Sequence, residues 1–226
     1  MNIANNILKH SLQNVYFLAG TPLAGKTTMS KVLEEKHGFL WFDENHMGTP
    51  FKTFESICEE KYQPIFCAGK KRFDHQQKYD WDAHYNRSAQ GIIASRPKDN
   101  EFMEFAIIEL IKLSQVGRVI TDYYASLDFL LEISDSSRIA CLLTAPHLIT
   151  AENYGSRDDH SDYWQWLTSL NDAEKKIAKE DEIFQIDALA TYEEAKKHNL
   201  FSIVRTEKST VQDTLRQLET HFGLKG

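Results

Sequence analysis

Residues 15–43 read VYFLAGTPLAGKTTMSKVLEEKHGFLWFD, and this stretch decides the fold. An almost unbroken apolar run over residues 14–19 is typical of a buried strand. The spacing of the apolar residues that follow predicts an amphipathic helix over residues 26–36, which Gly38 ends in a left-handed cap. Residues 39–42 then indicate a second short strand. The stretch therefore predicts a strand, a loop, a helix and a strand in succession.

The loop between the first strand and the helix reads GTPLAGKT, and it fits the phosphate-loop pattern G-x-x-x-x-G-K-[ST]. Its two glycines permit backbone angles and close approaches that a side chain would block. The loop N–H groups can then converge on phosphate oxygens, and the start of the helix adds its positive dipole end. The predicted phosphate contacts are Gly20, Thr21, Pro22, Leu23, Ala24, Gly25, Lys26, Thr27 and Thr28.

Two side chains of this loop carry specific expectations. Lys26 is expected to reach the β- and γ-phosphates of a nucleotide, and the Thr27 hydroxyl is expected to bind Mg²⁺. Asp122 ends the apolar run VITD, where its carboxylate can complete the Mg²⁺ shell. Asp43, which ends the second strand, is the alternative carboxylate for the metal.

The remaining pattern alternates strands with helices. Further strands are predicted in GRVITD (117–122), SRIACLLTAP (137–146) and LFSIVRT (200–206). Further helices are predicted over 101–115, within LDFLLEIS (127–134), over most of 163–199 with a break near 183–187, and over 209–222 with Val211, Leu215 and Leu218 facing inward. Such alternation indicates βαβ units, and hence an α/β fold with a five-stranded parallel sheet and helices on both faces.

Composition excludes several classes of protein. The chain has 226 residues, of which 42% are hydrophobic and 26% are charged, as expected of one globular domain. Its net charge of -7 provides no overall attraction to nucleic acid or to an anionic membrane. The three cysteines show no metal-site or C-x-x-C spacing, which indicates reduced thiols and a cytoplasmic location. No run approaches the roughly 20 apolar residues of a membrane span.

The motif GTPLAGKT and the layout around it resemble the nucleotide and small-molecule kinases among the P-loop NTPases. That branch includes adenylate, shikimate and gluconate kinases and chloramphenicol phosphotransferase. The resemblance implies one kinase domain over 1–226, with its core in 1–49 and 98–226. It also implies a helical substrate-binding excursion over 50–97 and a lid over 149–162, which contains the polar stretch NYGSRDDHSD.

The resemblance also implies roles for three residues outside the loop. Arg157, on the lid, becomes the candidate that stabilises charge on the transferred phosphoryl group. Asp43 corresponds to the carboxylate that faces the acceptor hydroxyl in the small-molecule kinases of this branch. Arg205 follows the fifth strand, where the family's loop meets adenine. The sequence TDYYAS after the third strand departs from the D-G-x-P-R motif of adenylate kinase.

These observations lead to the expectation of an ATP- and Mg²⁺-dependent phosphotransferase that acts on a small-molecule hydroxyl. A nucleoside monophosphate kinase is the first alternative, because Arg87 and Arg96 in the excursion can bind an anionic acceptor. A non-catalytic ATP-binding or ATPase regulatory module is the second. A kinase of polynucleotide ends would require a basic groove, which the acidic balance disfavours.

Overall fold

The computed structural model describes residues 5–43, 80–94, 99–122, 125–157 and 160–224. Five parallel strands form one sheet with the order β2–β3–β1–β4–β5. Their bounds are β1 Val15–Gly20, β2 Leu40–Phe42, β3 Val119–Thr121, β4 Ile139–Thr144 and β5 Ser202–Arg205. The predicted α/β class and the five-stranded parallel sheet are therefore confirmed, and the architecture is consistent with a P-loop NTPase-like fold.

Helices separate the strands along the chain. In chain order they are α1 Asn5–Ser11, α2 Lys26–His37, α3 Trp81–Tyr85, α4 Ala89–Ala94, α5 Asp99–Ser114, α6 Leu127–Ile133, α7 Ala151–Gly155, α8 Ser161–Ser169, α9 Ala173–Lys197 and α10 Val211–Phe222. Short 3₁₀ turns at Ser136–Arg138 and Pro146–Leu148 flank β4. Gly38 ends α2 in the left-handed conformation, as predicted. Among the described parts of the chain, every helix is too short or too polar to cross a membrane.

The three central strands are buried because helices cover the sheet on both faces. Leu18 of β1 packs with α2 and α10 on one face. Its neighbours Phe17 and Ala19 pack with α1, α5, α6 and α9 on the other. Alternate residues of a strand point to opposite faces of the sheet, so a continuous apolar run such as β1 suits a strand that is buried on both faces.

This arrangement places a crevice at the carboxyl end of β1. The helix that follows β1 packs on one face of the sheet, whereas the helices that follow the neighbouring strands β3 and β4 pack on the other. Their connections therefore diverge above β1. Open α/β sheets bind ligands at such a switch point, outside the carboxyl ends of the strands.

A second packing unit lies on the amino-terminal half of α9. Helix α4 packs against α9 through Ile92 and Ile183. Helices α3, α7 and α8 meet α9 in an aromatic cluster that includes Tyr85 and Leu167. The Tyr85 hydroxyl donates to Glu180 of α9 at 2.7 Å, and burial is the largest cause that raises the pKa of Tyr85. The described part of the excursion, residues 80–94, is thus helical and attached to α9.

Two details of the sequence prediction are wrong. The helix predicted over 163–199 is interrupted at residues 170–172, where Asp172 adopts a left-handed conformation, and not near 183–187. Ile183 lies fully buried inside α9 because α4 packs on it. Val211 is 44% exposed in the first turn of α10 and does not face inward.

Part of the predicted lid loop is helical. Within 153–162, the first three residues belong to α7 and the last two to α8. The Ala151 N–H donates to the Asp181 carboxylate at 2.6 Å, and Gln185 donates to the Ile149 carbonyl at 2.8 Å. This segment is therefore bonded to α9 in the structure.

Candidate active site

Gly20 brings the end of β1 against β4. Its φ of 128° lies where side chains are rarely tolerated, and a Cβ there would lie 1.8 Å from the Leu142 carbonyl oxygen. The next residue, Thr21, donates its N–H to the same oxygen at 3.0 Å. The first glycine of the motif is therefore required for the close approach of two strands.

Gly25 serves a different purpose at the other end of the loop. Its φ is 84°, and no atom lies within 4 Å of where a Cβ would be. Leu23 is also left-handed, with a φ of 63°. These turns curl the loop back so that α2 begins at Lys26, directly after Gly25. The first N–H groups of a helix have no partner within it, so this end of α2 suits an anion.

Buried hydroxyls fasten the loop to β4. Thr21 is fully buried, and its hydroxyl oxygen accepts the N–H of Thr144 at 2.7 Å. The Thr144 hydroxyl donates to the Pro22 carbonyl at 2.7 Å. Tyr192 of α9 donates to the Thr144 carbonyl at 2.9 Å, and burial raises the pKa of Tyr192, which favours the donating phenol. The side chain of Thr21 thus maintains the shape of the loop.

Arg205 contacts the loop from the next strand. Thr144 and Arg205 are register partners on β4 and β5, and the Arg205 guanidinium donates to the carbonyl of Leu23. This contact supports the backbone at the residue whose φ is positive. The structure therefore places Arg205 at the end of β5 and against the backbone of the phosphate loop, whereas its predicted position near adenine stays a prediction.

The Lys26 ammonium group lies against the entry of the loop. It donates to the carbonyl of Thr21 at 2.7 Å and to that of Gly20 at 3.3 Å. A lysine side chain that curls back over its own loop keeps a positive charge beside the start of α2. Ala24 is buried beneath the loop, and Thr28 is exposed on the first turn of the helix.

Thr27 and Asp122 meet across 95 positions of the sequence. The Thr27 hydroxyl donates to Oδ2 of Asp122 at 2.6 Å, and the Trp41 indole N–H donates to Oδ1 at 3.0 Å. A hydroxyl and a carboxylate fit Mg²⁺, which typically takes one or two protein oxygens and keeps water or phosphate as its other ligands. Within the described residues, no group of three or more His, Cys, Asp or Glu side chains could hold a metal.

Asp43 lies beside Asp122 at the same edge of the sheet. Phe42 and Thr121 are register partners on β2 and β3, so the two aspartates occupy matching positions immediately after the strands. Asp43 is only 7% exposed. Both carboxylates that the sequence singled out therefore lie at the carboxyl edge of the sheet, after β2 and β3.

The arginines of the lid and the excursion belong to segments outside the phosphate loop. Arg157 follows α7 and is partly exposed, and its carbonyl accepts the N–H of His160 at 3.0 Å. Arg87 donates to the carbonyl of Gly91 within the excursion. Arg96 lies outside the described residues. The role of Arg157 stays a prediction.

Sequence reasoning missed three residues that shape this site. Thr144 bonds to Thr21 and Pro22 of the loop, Trp41 donates to Asp122, and Tyr192 supports the loop indirectly by donating to the Thr144 carbonyl. A polar residue at the end of β4, next to an already identified phosphate loop, is the one signal that could have pointed to Thr144. Trp41 and Tyr192 carry no comparable signal, because aromatic residues in such positions usually serve packing.

Comparison of the chain with models of protein families gives no match, and comparison with curated proteins gives none either. The geometry around residues 20–27 is accordingly the basis for an assignment of function.

Proposed function

We propose that the chain is an ATP-dependent kinase that transfers the γ-phosphoryl group of ATP to a hydroxyl of a small molecule. The observation that carries this proposal is the curled loop between Gly20 and Gly25. It leads into the start of α2, with Lys26 folded against it and Thr27 bonded to Asp122. Three features that favour a nucleotide's terminal phosphates thus lie together: helix N–H donors, an ammonium group and a carboxylate–hydroxyl pair.

The loop residues bind and orient the triphosphate in this mechanism. Backbone N–H groups at the start of α2 donate to phosphate oxygens, and Lys26 balances charge on the β- and γ-phosphates. Thr27 and Asp122 would hold Mg²⁺, which would supply positive charge to offset that of the phosphates. Positioning and electrostatics supply most of the catalysis in phosphoryl transfer, so a few charged residues suffice.

Asp43 acts on the acceptor side. The acceptor hydroxyl oxygen bonds to the γ-phosphorus while the bond from that phosphorus to the bridging oxygen of ADP breaks, and the hydroxyl proton passes to Asp43. The position of Asp43 next to Asp122 supports this role, because both carboxylates then lie at the same edge of the sheet. Arg157 stabilises the charge on the transferring group when the lid segment approaches.

A nucleoside monophosphate kinase is the main competing function. It would use arginines of the excursion to bind the phosphate of the acceptor. Arg87, the one of these arginines that lies within the described residues of the excursion, instead donates to the Gly91 carbonyl. Because this contact engages the arginine within the excursion itself, it favours a hydroxyl acceptor over a phosphate acceptor.

The first experiment compares the full chain with Lys26→Ala. Wild type is expected to bind ATP with Mg²⁺ in a calorimetric titration and to consume ATP in the presence of one member of a metabolite panel. Lys26→Ala should abolish transfer with little change in the thermal midpoint. Lys112→Ala, at an exposed side chain of α5 that is paired with Glu109, is the control for loss of a lysine. Transfer by Lys26→Ala at the wild-type rate, or a wild type that binds no nucleotide, would refute the proposal.

The second experiment separates the two acceptors. Asp43→Asn keeps the size of the side chain but removes the base. For a hydroxyl acceptor we expect the turnover rate to fall about 100-fold or more while ATP affinity is retained. An unchanged rate would favour a phosphate acceptor, which needs no base at this position.

A further inference from the structure

Trp41 makes a polar contact that its place in a packed sheet does not require. It lies on β2, between Leu40 and Phe42, and its indole N–H donates to Oδ1 of Asp122, which directly follows the adjacent strand β3, at 3.0 Å. The other oxygen of the same carboxylate accepts the Thr27 hydroxyl at 2.6 Å. Asp122 is thus held at both oxygens, by one donor from α2 and one from β2.

The tryptophan ring is itself held in a defined orientation. It packs at the margin of the cluster between the sheet and helices α2 and α10. The Lys31 ammonium group lies 5.3 Å from the ring centroid, over the ring, within the range of a cation–π contact. Packing and this cation fix the direction in which the indole N–H points.

A carboxylate held at one oxygen can still rotate, because the terminal torsion of aspartate has broad, roughly two-fold minima. A second donor at the other oxygen fixes the plane of the group. The indole N–H only donates and does not bind metals, so it has no competing role when a cation arrives. Partners of this kind, which orient a metal-binding side chain, commonly change metal affinity about 10- to 100-fold when removed.

We propose that Trp41 is a positioning residue for the magnesium site, and that its indole N–H holds the Asp122 carboxylate in the orientation that serves Thr27 and the cation. Trp41 touches neither substrate nor metal in this role and acts through Asp122. The inference rests on the proposed function, because it assumes that Thr27 and Asp122 hold Mg²⁺ beside a nucleotide.

The test uses Trp41→Phe, which keeps an aromatic ring beneath Lys31 and removes the N–H. ADP binding by the full chain is measured at increasing Mg²⁺ concentrations. We expect the Mg²⁺ concentration for half-maximal enhancement to rise roughly tenfold in Trp41→Phe, with the affinity for metal-free ADP unchanged. Trp166→Phe, in the aromatic cluster on α9, is the matched control and should leave both quantities unchanged.

A double-mutant cycle with Asp122→Asn distinguishes positioning from general packing. If Trp41 acts through Asp122, adding Trp41→Phe to Asp122→Asn changes the Mg²⁺ dependence no further. An unchanged Mg²⁺ dependence in Trp41→Phe, or an equal shift in both backgrounds, overturns the inference while the kinase proposal stands. A wild type that binds no nucleotide, or binds it equally without Mg²⁺, overturns the proposed function and this inference with it.

A measurement that leaves Trp41 in place covers the case in which Trp41→Phe does not fold. The indole N–H signals of ¹⁵N-labelled protein are followed while Mg²⁺ is added to the ADP complex, and in Asp122→Asn. We expect the same indole signal to move in both experiments. The inference is overturned if no indole signal moves in either.

Discussion

The two glycines of the loop provide the sharpest test of its geometry, because alanine at each should fail for a different reason. A Cβ on Gly20 would lie 1.8 Å from the Leu142 carbonyl oxygen and 2.7 Å from the carbonyl carbon, both of which are backbone atoms. A Cβ on Gly25 would meet nothing within 4 Å. Gly20→Ala should therefore damage the fold, whereas Gly25→Ala should damage mainly the binding of phosphates.

The magnitudes follow from these contacts. At Gly20, a rarely populated backbone conformation costs roughly 1–3 kcal/mol, and forcing β1 from β4 adds about 1–3 kcal/mol of overpacking. Weakening the Thr21–Leu142 hydrogen bond, 3.0 Å long, adds about 1 kcal/mol. The expected loss is at least about 3 kcal/mol. At Gly25, only the left-handed conformation is penalised, by about 1–2 kcal/mol.

The assay pairs urea unfolding, followed by circular dichroism, with calorimetric titration of ATP and Mg²⁺. Gly20→Ala should unfold at much lower urea than Gly25→Ala. Gly25→Ala should stay folded yet lose most of its nucleotide affinity, because the added methyl group would occupy space that the proposed phosphate site requires. Equal stability of the two variants would contradict the structural account of Gly20. Wild-type affinity in Gly25→Ala would contradict the phosphate-binding account of the loop.

Two further predictions concern stability. His221 stacks on Phe201, and burial lowers its pKa from the ordinary value of 6.5. Below neutral pH the unfolded chain therefore binds more protons than the folded chain. The free energy of unfolding then falls as the pH drops through 6.5 and on through the lowered pKa. His221→Gln should lose less stability than wild type between about pH 7.5 and 5.5 in urea unfolding, and an equal loss would contradict this sign. Tyr85→Phe removes the donor to Glu180 and should cost about 2 kcal/mol, or roughly 4–8 °C in the thermal midpoint; an unchanged midpoint would show that this bond does not stabilise the α3–α9 contact.

Much of the fold could be predicted because its signals are local. The apolar run before Gly20 predicted β1, and the 3.6-residue spacing that follows predicted α2 within one residue of its observed end at His37. The other strands were predicted in the same way, from short apolar runs bounded by polar residues. Alternation of strands and helices was then sufficient for the parallel α/β class, since parallel strands need crossover connections.

The errors occurred where distant contacts override local pattern. Residues 183–187 contain an apolar–polar mixture that resembles a helix break, but α4 packs on Ile183 and keeps α9 continuous. Asp172 takes the left-handed turn that separates α8 from α9, which aspartate tolerates better than most residues. Val211 has the spacing of an inward residue, yet its side chain is 44% exposed in the first turn of α10.

The sequence alone determined the position of the loop, its two required glycines and the class of fold, because backbone preferences and hydrophobic periodicity act over a few neighbouring residues. Only the tertiary structure decided which carboxylate meets Thr27, and that Trp41 and Arg205 support Asp122 and Leu23. These contacts join residues between 81 and 182 positions apart. They follow from the order in which the strands pack, which depends on the collective burial of the whole sheet.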